Sequence, residues 1–255
     1  MNKTVFISGA TSGIGKACAE KYAAEKYNLI LTGRRQERLD DVKTTLINTF
    51  GIKVHTLCFD VQKKDEVFAM VNSLPPEWQK INILINNAGL ALGKDSFDEA
   101  NLEDWDIMLH TNVNGLLYVT RAVLPFIKNA GNGHIINMGS VAGKEVYENG
   151  NVYCASKFAV DALNKSMRID LLKHGIKVTG IHPGAVETEF SIVRFKGDQD
   201  KAESAYKGLI PLTAEDIAHT IYYCTSLPAH VCINDLVITC LQQAGTYYFH
   251  KGSPG

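Results

Sequence analysis

The chain has 255 residues, of which 45% are hydrophobic and 21% are charged, a composition typical of a folded, water-soluble domain. Its formal net charge of −1 provides no overall attraction to nucleic acid or to an anionic membrane. The six cysteines form no CxxC pair and do not alternate with histidines, so neither a disulfide framework nor a metal site is expected.

The compartment is predicted from what the sequence lacks. No apolar stretch approaches the roughly 20 residues that a membrane-spanning helix needs. The opening, MNKTVFISGA, leaves no room for a leader peptide before the first apolar run. We therefore expect a cytoplasmic protein in a reducing environment, with its cysteines serving as small buried hydrophobic residues.

Short apolar runs alternate with longer amphipathic segments along the chain. Seven of the short runs are typical of strands: TVFISG, NLILTG, KVHTLCFD, INILINNAG, HIINMGS, KVTGIHPG and DLVITC. The segments of helical length between them are Gly13–Lys26, Gln36–Phe50, Lys63–Ser73, Leu102–Asn129, Asn151–His174 and Thr213–Ser226.

This alternation predicts an α/β fold. Nearly continuous apolar strands joined by helical crossovers indicate a Rossmann-type doubly wound sheet of about seven parallel strands, with helices on both faces. No repeat or linker divides the chain, so we expect one domain over residues 1–255. The stretch between Pro183 and Pro211 lacks clear periodicity, and a segment of this length predicts a substrate lid at about residues 184–211.

The first strand runs directly into SGATSGIGKA. Its glycines allow a sharp turn and a close approach to a pyrophosphate, and the following helix presents unpaired N–H groups. The GxxxGxG spacing differs from the usual GxGxxG, and a plain glycine-rich turn remains an alternative. Placed between a strand and a helix, the motif predicts a dinucleotide cradle formed by Gly9, Thr11, Ser12, Gly13, Ile14 and Gly15.

The end of the second strand, LTGRRQERL, indicates which dinucleotide binds. An NAD site normally has an acidic residue about 20 residues beyond the glycines, to bind the ribose 2′-hydroxyl. Here Arg34 and Arg35 occupy that region, and the first acid is Glu37. The positive charges of the two arginines interact unfavourably with the dipole at the start of the helix that follows. A 2′-phosphate bound between them would make that interaction favourable. Solvated arginines are the alternative, but the pattern favours NADP.

Two further strand ends supply candidate cofactor contacts. Asp60 ends the third strand in CFDV, where, beside Val61, it would either contact an adenine edge or cap the next helix. The fourth strand ends in NNAG, so Asn87, Ala88 and Gly89 would let the backbone lie against a ribose. A simple exit from strand to loop is the alternative there.

Tyr153 and Lys157 stand four positions apart on a predicted helix and therefore share one face. Such a pair is common by chance, but here it accompanies the glycine cradle and Ser140 at the end of the fifth strand. Hydride transfer to a carbonyl needs a proton donor, which a tyrosine provides if its pKa falls from about 10 toward neutrality, a difference of roughly 4 kcal/mol. An ammonium one turn away and a cationic nicotinamide favour the phenolate, and Ser140 would hold the substrate oxygen.

These motifs, in this order and spacing, resemble the short-chain dehydrogenase/reductase family over nearly the whole chain. The resemblance implies that Asn112 of HTNVNG is a fourth catalytic residue, which holds a water that relays protons from Lys157. Read from the sequence alone, Asn112 indicates only a polar position or a kink within a helix. The resemblance also implies a homotetramer paired through the helices around 102–129 and 151–174, and nicotinamide contacts from Pro183, Gly184, Val186 and Thr188.

A narrower likeness is carried by TGRRQERL, GNVYCASK, TEFSIVRFKGD and SLPAHVCINDLVI. These segments resemble the NADP-dependent serine and 3-hydroxy acid dehydrogenases. The chain departs from that group at Asn149 and Cys154, where small or glycine residues are usual, and in its tail QQAGTYYFHKGSPG.

The resemblance implies oxidation of a small 3-hydroxy acid, such as serine or allo-threonine, or reduction of the matching carbonyl. The acid's carboxylate needs a cation, and VRFKGD offers Arg194 and Lys196, of which the planar arginine suits a carboxylate better. Two alternatives remain: a broad NADPH-dependent carbonyl or semialdehyde reductase, and a non-catalytic NADP-sensing protein. In every case the expected partner is a small molecule rather than nucleic acid or membrane.

Overall fold

The computed structural model describes residues 2–252, whose strands form one sheet. The strands are β1 (Thr4–Ile7), β2 (Asn28–Gly33), β3 (Val54–Cys58), β4 (Ile83–Asn86), β5 (His134–Met138), β6 (Lys177–Pro183) and β7 (Asp235–Ile238). They lie in the order β3-β2-β1-β4-β5-β6-β7, and every pair is parallel. The prediction of a Rossmann-type sheet of about seven parallel strands is confirmed.

Helices cover both faces of this sheet. They are α1 (Gly13–Ala24), α2 (Gln36–Phe50), α3 (Lys64–Asn72), α4 (Leu102–Leu109), α5 (Leu116–Ala130), α6 (Asn151–Leu171), α7 (Glu189–Arg194), α8 (Gln199–Ser204) and α9 (Ala214–Ser226). Among residues 2–252, none is long and apolar enough to cross a bilayer.

Alternating side chains of the central strands fill two separate cores. Val5 and Ile7 of β1 pack with α1, α2 and α9, whereas Phe6 between them packs with α3 and α5. Ile83 and Ile85 of β4 follow the first pattern, and Leu84 follows the second. Successive strand side chains point to opposite faces. Both faces are therefore apolar, which is why these strands are almost continuously hydrophobic in sequence.

The strand order reverses between β1 and β4, and this switch point determines where ligands bind. In open parallel sheets the loops leaving β1 and β4 turn to opposite faces, which opens a crevice at their carboxyl ends. The glycine cradle follows β1 and the NNAG segment contains the end of β4. The predicted functional segments thus meet at one edge of the sheet.

The predicted continuous helix over Leu102–Asn129 is wrong in one respect. The chain forms α4 and α5, separated by a π-helical turn over His110–Gly115. Asn112 lies in this wider turn, where its side chain accepts from Leu90 N at 2.8 Å and donates to Leu90 O at 2.8 Å. Two hydrogen bonds to the backbone after β4 therefore accompany the break, and π-turns of this kind are frequent at functional sites.

Other helix ends differ from prediction by one to three residues. α1 ends at Ala24, because Lys26 adopts a left-handed conformation with φ of 65°. α6 ends at Leu171 and is followed by a 3₁₀ turn to His174. α9 begins after Thr213, whose hydroxyl completes a capping box with Asp216.

The segment at residues 184–211, predicted to lack periodicity, contains the short helices α7 and α8. Each begins at a side-chain cap, Thr188 for α7 and Asp198 for α8. Side-chain caps stabilise the start of both helices. The helices are too short to produce a visible hydrophobic period in the sequence.

Candidate active site

A crevice of about 1020 Å³ opens at the carboxyl ends of β1, β4, β5 and β6. Most residues predicted for the site line it together: Gly9, Thr11, Ser12, Gly13, Ile14, Arg34, Arg35, Asp60, Val61, Asn87, Ala88, Gly89, Ser140, Tyr153, Lys157, Pro183, Gly184, Val186, Thr188 and Arg194. The exceptions are Gly15 and Asn112, which lie behind the wall.

The glycine loop is shaped so closely that larger residues do not fit. A Cβ on Gly15 would lie 2.2 Å from the Gly9 carbonyl oxygen and 2.5 Å from Asn87 Nδ2. Asn87 Nδ2 donates to the carbonyl oxygens of Ser8 and Gly9, each at 3.0 Å, which holds the turn in place. Gly9 has φ of 69°, a conformation that L side chains rarely adopt. The loop therefore presents bare backbone and the start of α1, which fits a pyrophosphate.

Both predicted phosphate-binding arginines lie beside this loop. Arg35 Nη2 donates to Thr11 Oγ1 at 2.9 Å and to Ser12 Oγ at 3.3 Å, so its guanidinium is fixed against the cradle. Arg34 Nη1 lies 3.7 Å from Asp60 Oδ2. The two cations suit a phosphate on the adenosine ribose, the group that distinguishes NADP from NAD.

Glu189, at the start of α7, also reaches the arginine cluster. Both of its carboxylate oxygens lie 3.0 Å from Arg38 Nη1. One of them, Oε2, also lies 3.5 Å from Arg35 Nη1. Arg38 therefore neutralises an acid that stands close to the predicted phosphate site. Sequence analysis missed this pairing because the two residues are 151 positions apart.

For Asp60, the structure contradicts one of the two alternatives, and contact with an adenine edge stays a prediction. Its Oδ1 accepts from Gln62 N at 3.0 Å, and it lines the crevice beside Arg34. The alternative that it caps the next helix is wrong, since the residue preceding α3 is Lys63, which makes no side-chain cap. The hydrogen bond from Gln62 N closes an Asx-type turn after β3.

Ser140, Tyr153 and Lys157 converge on the crevice from two elements. Ser140 follows β5 and accepts from Ala142 N at 3.1 Å, which fixes the turn that carries it. Tyr153 and Lys157 rise on α6, and both are less than one-tenth exposed. Lys157 Nζ lies 6.0 Å from the centroid of the Tyr153 ring and donates to the Met138 carbonyl at 2.9 Å.

Burial governs the protonation of this pair. It raises the pKa of Tyr153 well above its ordinary value, and Tyr147 adds to the rise while a hydrogen bond from Ser140 opposes it. Burial also lowers the pKa of Lys157 to about 8. In the protein without cofactor, desolvation thus favours the neutral form of each group. The expectation that Lys157 and oxidised nicotinamide together favour the phenolate stays a prediction.

Asn112 does not line the crevice but joins two of the elements around it through hydrogen bonds. Its amide donates to Ser156 Oγ at 3.0 Å, and Ser156 Oγ donates to the Tyr153 carbonyl at 2.8 Å. Its side chain thus links the backbone after β4 to the first turn of α6. The side-chain hydrogen bonds of Asn112 are directed at protein groups, and a role in proton relay stays a prediction.

Arg194 lines the crevice beside Tyr153. Its guanidinium carbon lies 5.6 Å from the Tyr153 ring centroid and 5.5 Å from that of Tyr147, and its Nε donates to the Gly93 carbonyl at 3.2 Å. Lys196, the other cation of the VRFKGD stretch, does not line the crevice and contacts Asp104 Oδ2 at 2.7 Å.

Several crevice residues were not predicted. The Tyr147 hydroxyl is buried and has no hydrogen-bond partner of adequate geometry among residues 2–252. Thr246, Phe249 and Lys251 of the tail also line the crevice, where Gln243 Oε1 accepts from Ala185 N at 2.8 Å. No motif marks these residues, and only the distinctive tail composition pointed to this region.

At Asn149 and Cys154 the chain departs from the serine and 3-hydroxy acid dehydrogenases, and the structure shows the surroundings of both residues. Asn149 has φ of 61°, the left-handed conformation that glycine adopts most readily and that asparagine tolerates. Cys154 is buried, and burial raises the pKa of its thiol. All six cysteines are free.

Comparisons with known proteins agree with this geometry. A family model described as short chain dehydrogenase matches residues 3–199. The chain is 44% identical over 241 residues to the NADP-dependent 3-hydroxy acid dehydrogenase YdfG of Escherichia coli (strain K12), covering 94% of this chain and 96% of that protein. It is also 44% identical over 245 residues to a sulfoacetaldehyde reductase of Chromohalobacter salexigens, covering 96% of each. The closed form of serine dehydrogenase complexed with NADP⁺ superposes with a TM-score of 0.90 at 43% identity, covering 94% of this chain and 96% of that one.

The position of Arg35 leads to a prediction about cofactor choice. Arg35→Gln should weaken NADPH binding at least tenfold and change NADH binding less than twofold, because a charge-assisted hydrogen bond to a phosphate contributes about 1.5–3 kcal/mol. Fluorescence titration with each cofactor measures both affinities. Arg121→Gln is the matched control, since Arg121 is exposed and does not line the crevice. Equal losses for NADPH and NADH would contradict the assignment.

Burial of Lys157 leads to a prediction about stability. Its pKa of about 8 lies below the ordinary 10.5, so the unfolded chain binds more protons between these values and the burial cost is greatest below pH 8. Lys157→Met should raise the free energy of unfolding at pH 7 by about 1–3 kcal/mol. That gain should shrink toward pH 10.

Urea denaturation of this variant and the parent at both pH values measures the effect. Lys128→Met replaces an exposed lysine and should change little at either pH. A gain for Lys157→Met that is independent of pH, or a loss at pH 7, would show that the ammonium is not disfavoured by burial.

Proposed function

The chain belongs to the short chain dehydrogenase family, and on that premise we propose that it transfers a hydride between NADP(H) and a small 3-hydroxy acid, or its carbonyl counterpart. The enzyme class and NADP dependence agree with relatives that cover nearly the full chain. The observation that carries the substrate class is the position of Arg194 over the Tyr153 ring.

The cofactor would occupy the crevice from the glycine loop to the loop after β6. Gly9, Gly13 and the start of α1 would hold the pyrophosphate, and Arg34 and Arg35 the 2′-phosphate. Pro183, Gly184, Val186 and Thr188 would hold the nicotinamide end. When bound, the nicotinamide accepts or donates the hydride and, in its oxidised form, carries a positive charge.

The protein's own residues would handle the proton. The Tyr153 hydroxyl would give a proton to the carbonyl oxygen in reduction and take one from the alcohol in oxidation. The Ser140 hydroxyl would donate a hydrogen bond to the same oxygen, which keeps it in line with Tyr153. Lys157 would support the phenolate through its charge and bind the nicotinamide ribose. Asn112 would hold the water that returns protons from Lys157.

Arg194 and Tyr147 would bind the acid group. In a 3-hydroxy acid one carbon separates the reacting carbinol from the carboxylate, so the anion must lie close to Tyr153. The guanidinium is held there by Gly93 and by two aromatic rings, and the buried Tyr147 hydroxyl offers a second donor. A fixed planar cation beside a hydroxyl suits a carboxylate.

A broader carbonyl or semialdehyde reductase is the second candidate. The similarity to a sulfoacetaldehyde reductase favours it, because a sulfonate is an anion that Arg194 would bind as well as a carboxylate. A non-catalytic NADP-sensing role is the least supported alternative. The serine, tyrosine and lysine of the predicted catalytic set converge on the crevice, which a binding protein would not require.

We also propose a homotetramer in the cytoplasm. Apolar side chains are exposed on the helices expected to pair, including Leu102 on α4, Leu117 on α5, and Phe158 and Ile169 on α6. Such exposed patches mark association surfaces, and the mass of the protein in solution tests this. The free thiols of all six cysteines suit a reducing compartment.

The role of Arg194 is tested by its replacement. Arg194→Met should raise KM for serine and 3-hydroxyisobutyrate at least tenfold and leave KM for a neutral secondary alcohol within twofold, because only the acids lose a charged hydrogen bond. Initial rates with NADP⁺ across this panel measure the effect. Lys196→Met is the control, because Lys196 faces away from the crevice. Equal losses on acids and alcohols would reject the anion site.

A further inference from the structure

A cluster of charged residues that do not line the crevice lies next to the turn of Ser140 and the helix of Tyr153. Lys144 Nζ lies 2.7 Å from Asp161 Oδ1 and 2.6 Å from Asp235 Oδ2. His182 Nε2 lies 2.5 Å from Asp235 Oδ1. We call these four residues the charged quartet. Its members come from four places: the turn after β5, the middle of α6, the end of β6 and the start of β7.

Together with Lys165, the quartet is charge-balanced without a metal ion. Asp161, His182 and Asp235 hold donor atoms close enough together to bind one. The Lys144 ammonium already lies against both carboxylates, however, and Lys165 contacts the other oxygen of Asp161 at 2.6 Å. Two ammonium groups thus neutralise two carboxylates, which makes this a structural network rather than a metal site.

The network is partly shielded from solvent, since the side chains of Lys144 and Asp235 are 24% and 36% exposed. His182 is fully buried, and the Asp161 side chain is 10% exposed. Burial disfavours the Lys144 ammonium, but hydrogen bonds to Asp161 and Asp235 outweigh this and raise its pKa. Burial lowers the pKa of His182, against the opposing effect of Asp235. Among residues 2–252 neither ring nitrogen of His182 has a hydrogen-bond partner of adequate geometry, so the ion pairs of Lys144 are the contacts that hold the network together.

The quartet holds both ends of the turn that carries Ser140. Lys144 is the residue after this turn, and its ammonium is held by the two carboxylates. At the other end, Gly139 packs on the His182 ring so closely that a Cβ would lie 2.3 Å from His182 Nδ1. Gly139 N also donates to the Ile181 carbonyl at 2.7 Å. The serine therefore sits on a short segment fixed before and after it.

The same contacts set the distance between this turn and the catalytic helix. Asp161 lies one turn beyond Lys157 on α6, so the Lys144–Asp161 contact joins the turn to the helix of Tyr153. Between them, Gly143 lies against the backbone of Lys157, and a Cβ there would be 2.6 Å from the Lys157 carbonyl oxygen. Loss of the ion pair would let the turn move relative to α6.

We propose that Lys144 is a positioning residue, which acts through the charged quartet to hold the Ser140 hydroxyl in line with Tyr153. This inference rests on the proposed use of Ser140 in turnover. Side chains that bind or react must be held within about 0.5 Å of their productive geometry by supporting contacts, and small displacements lower kcat sharply.

The test compares variants of the whole enzyme. Lys144→Met should lower kcat by about 5- to 30-fold. The dissociation constant of NADPH should stay within twofold, because no member of the quartet lines the crevice. Lys144→Arg, which keeps the charge and both carboxylate contacts, should recover most of the activity. Thermal melting confirms that each variant is folded.

Lys165→Met provides the matched control. Lys165 contacts the same carboxylate as Lys144, but it belongs to α6 itself and its side chain is 57% exposed. Its loss removes an ion pair without releasing the serine turn, so kcat should stay within twofold. If Lys165→Met lowers kcat as much as Lys144→Met, general destabilisation explains both, and the proposal fails.

A double variant decides whether the effect passes through Ser140. In a Ser140→Ala background, Lys144→Met should lower the residual kcat less than twofold, since no hydroxyl remains to be positioned. An undiminished loss would overturn the proposal.

Hydrogen exchange of residues 139–146 gives a readout independent of turnover: Lys144→Met should speed exchange there and Lys165→Met should not. Slow exchange in both variants contradicts the inference even if the proposed substrate is wrong.

Discussion

The candidate site depends on burying an ammonium and a phenol on adjacent turns of one helix. Water exclusion drives both groups toward their neutral forms, so the free protein favours protonated Tyr153 and weakens the charge on Lys157. On the proposed function, the phenolate needs the positive charge of oxidised nicotinamide in addition to that of Lys157. Proton transfer would then be tied to cofactor binding, because the base would form only where hydride can also be transferred.

The rest of the fold holds this pair against the cofactor groove. The parallel sheet brings the ends of β1, β4, β5 and β6 to one edge, and a π-turn lets Asn112 join the backbone after β4 to α6. The charged quartet fixes the turn of Ser140 against the same helix. Further out, Arg194, Tyr147 and residues of the tail line the same crevice. Under the proposed function, reaction chemistry and substrate choice are therefore carried by different parts of the structure.

Periodicity and strand-end motifs predicted the sheet and most of the crevice, because these features are local in sequence. The glycine loop, the paired arginines and the Tyr153–Lys157 spacing each have a meaning within a few residues. The contacts that sequence analysis missed join distant segments. Glu189 meets Arg38 across 151 positions, and the π-turn at Asn112 depends on a backbone partner 22 residues earlier. The burial that raises the pKa of Tyr153 in the protein without cofactor was also not predicted, since burial is a property of the folded chain.

Titration of Tyr153 with and without cofactor tests the central claim most directly. The difference in tyrosinate absorbance between the parent protein and Tyr153→Phe isolates this one phenol. We expect its pKa to lie above 10 in the free protein and to fall by about three pH units or more when NADP⁺ is bound, since a drop of roughly 4 kcal/mol is needed to reach neutrality. A pKa that is near neutral without cofactor, or one that NADP⁺ leaves unchanged, would contradict the account.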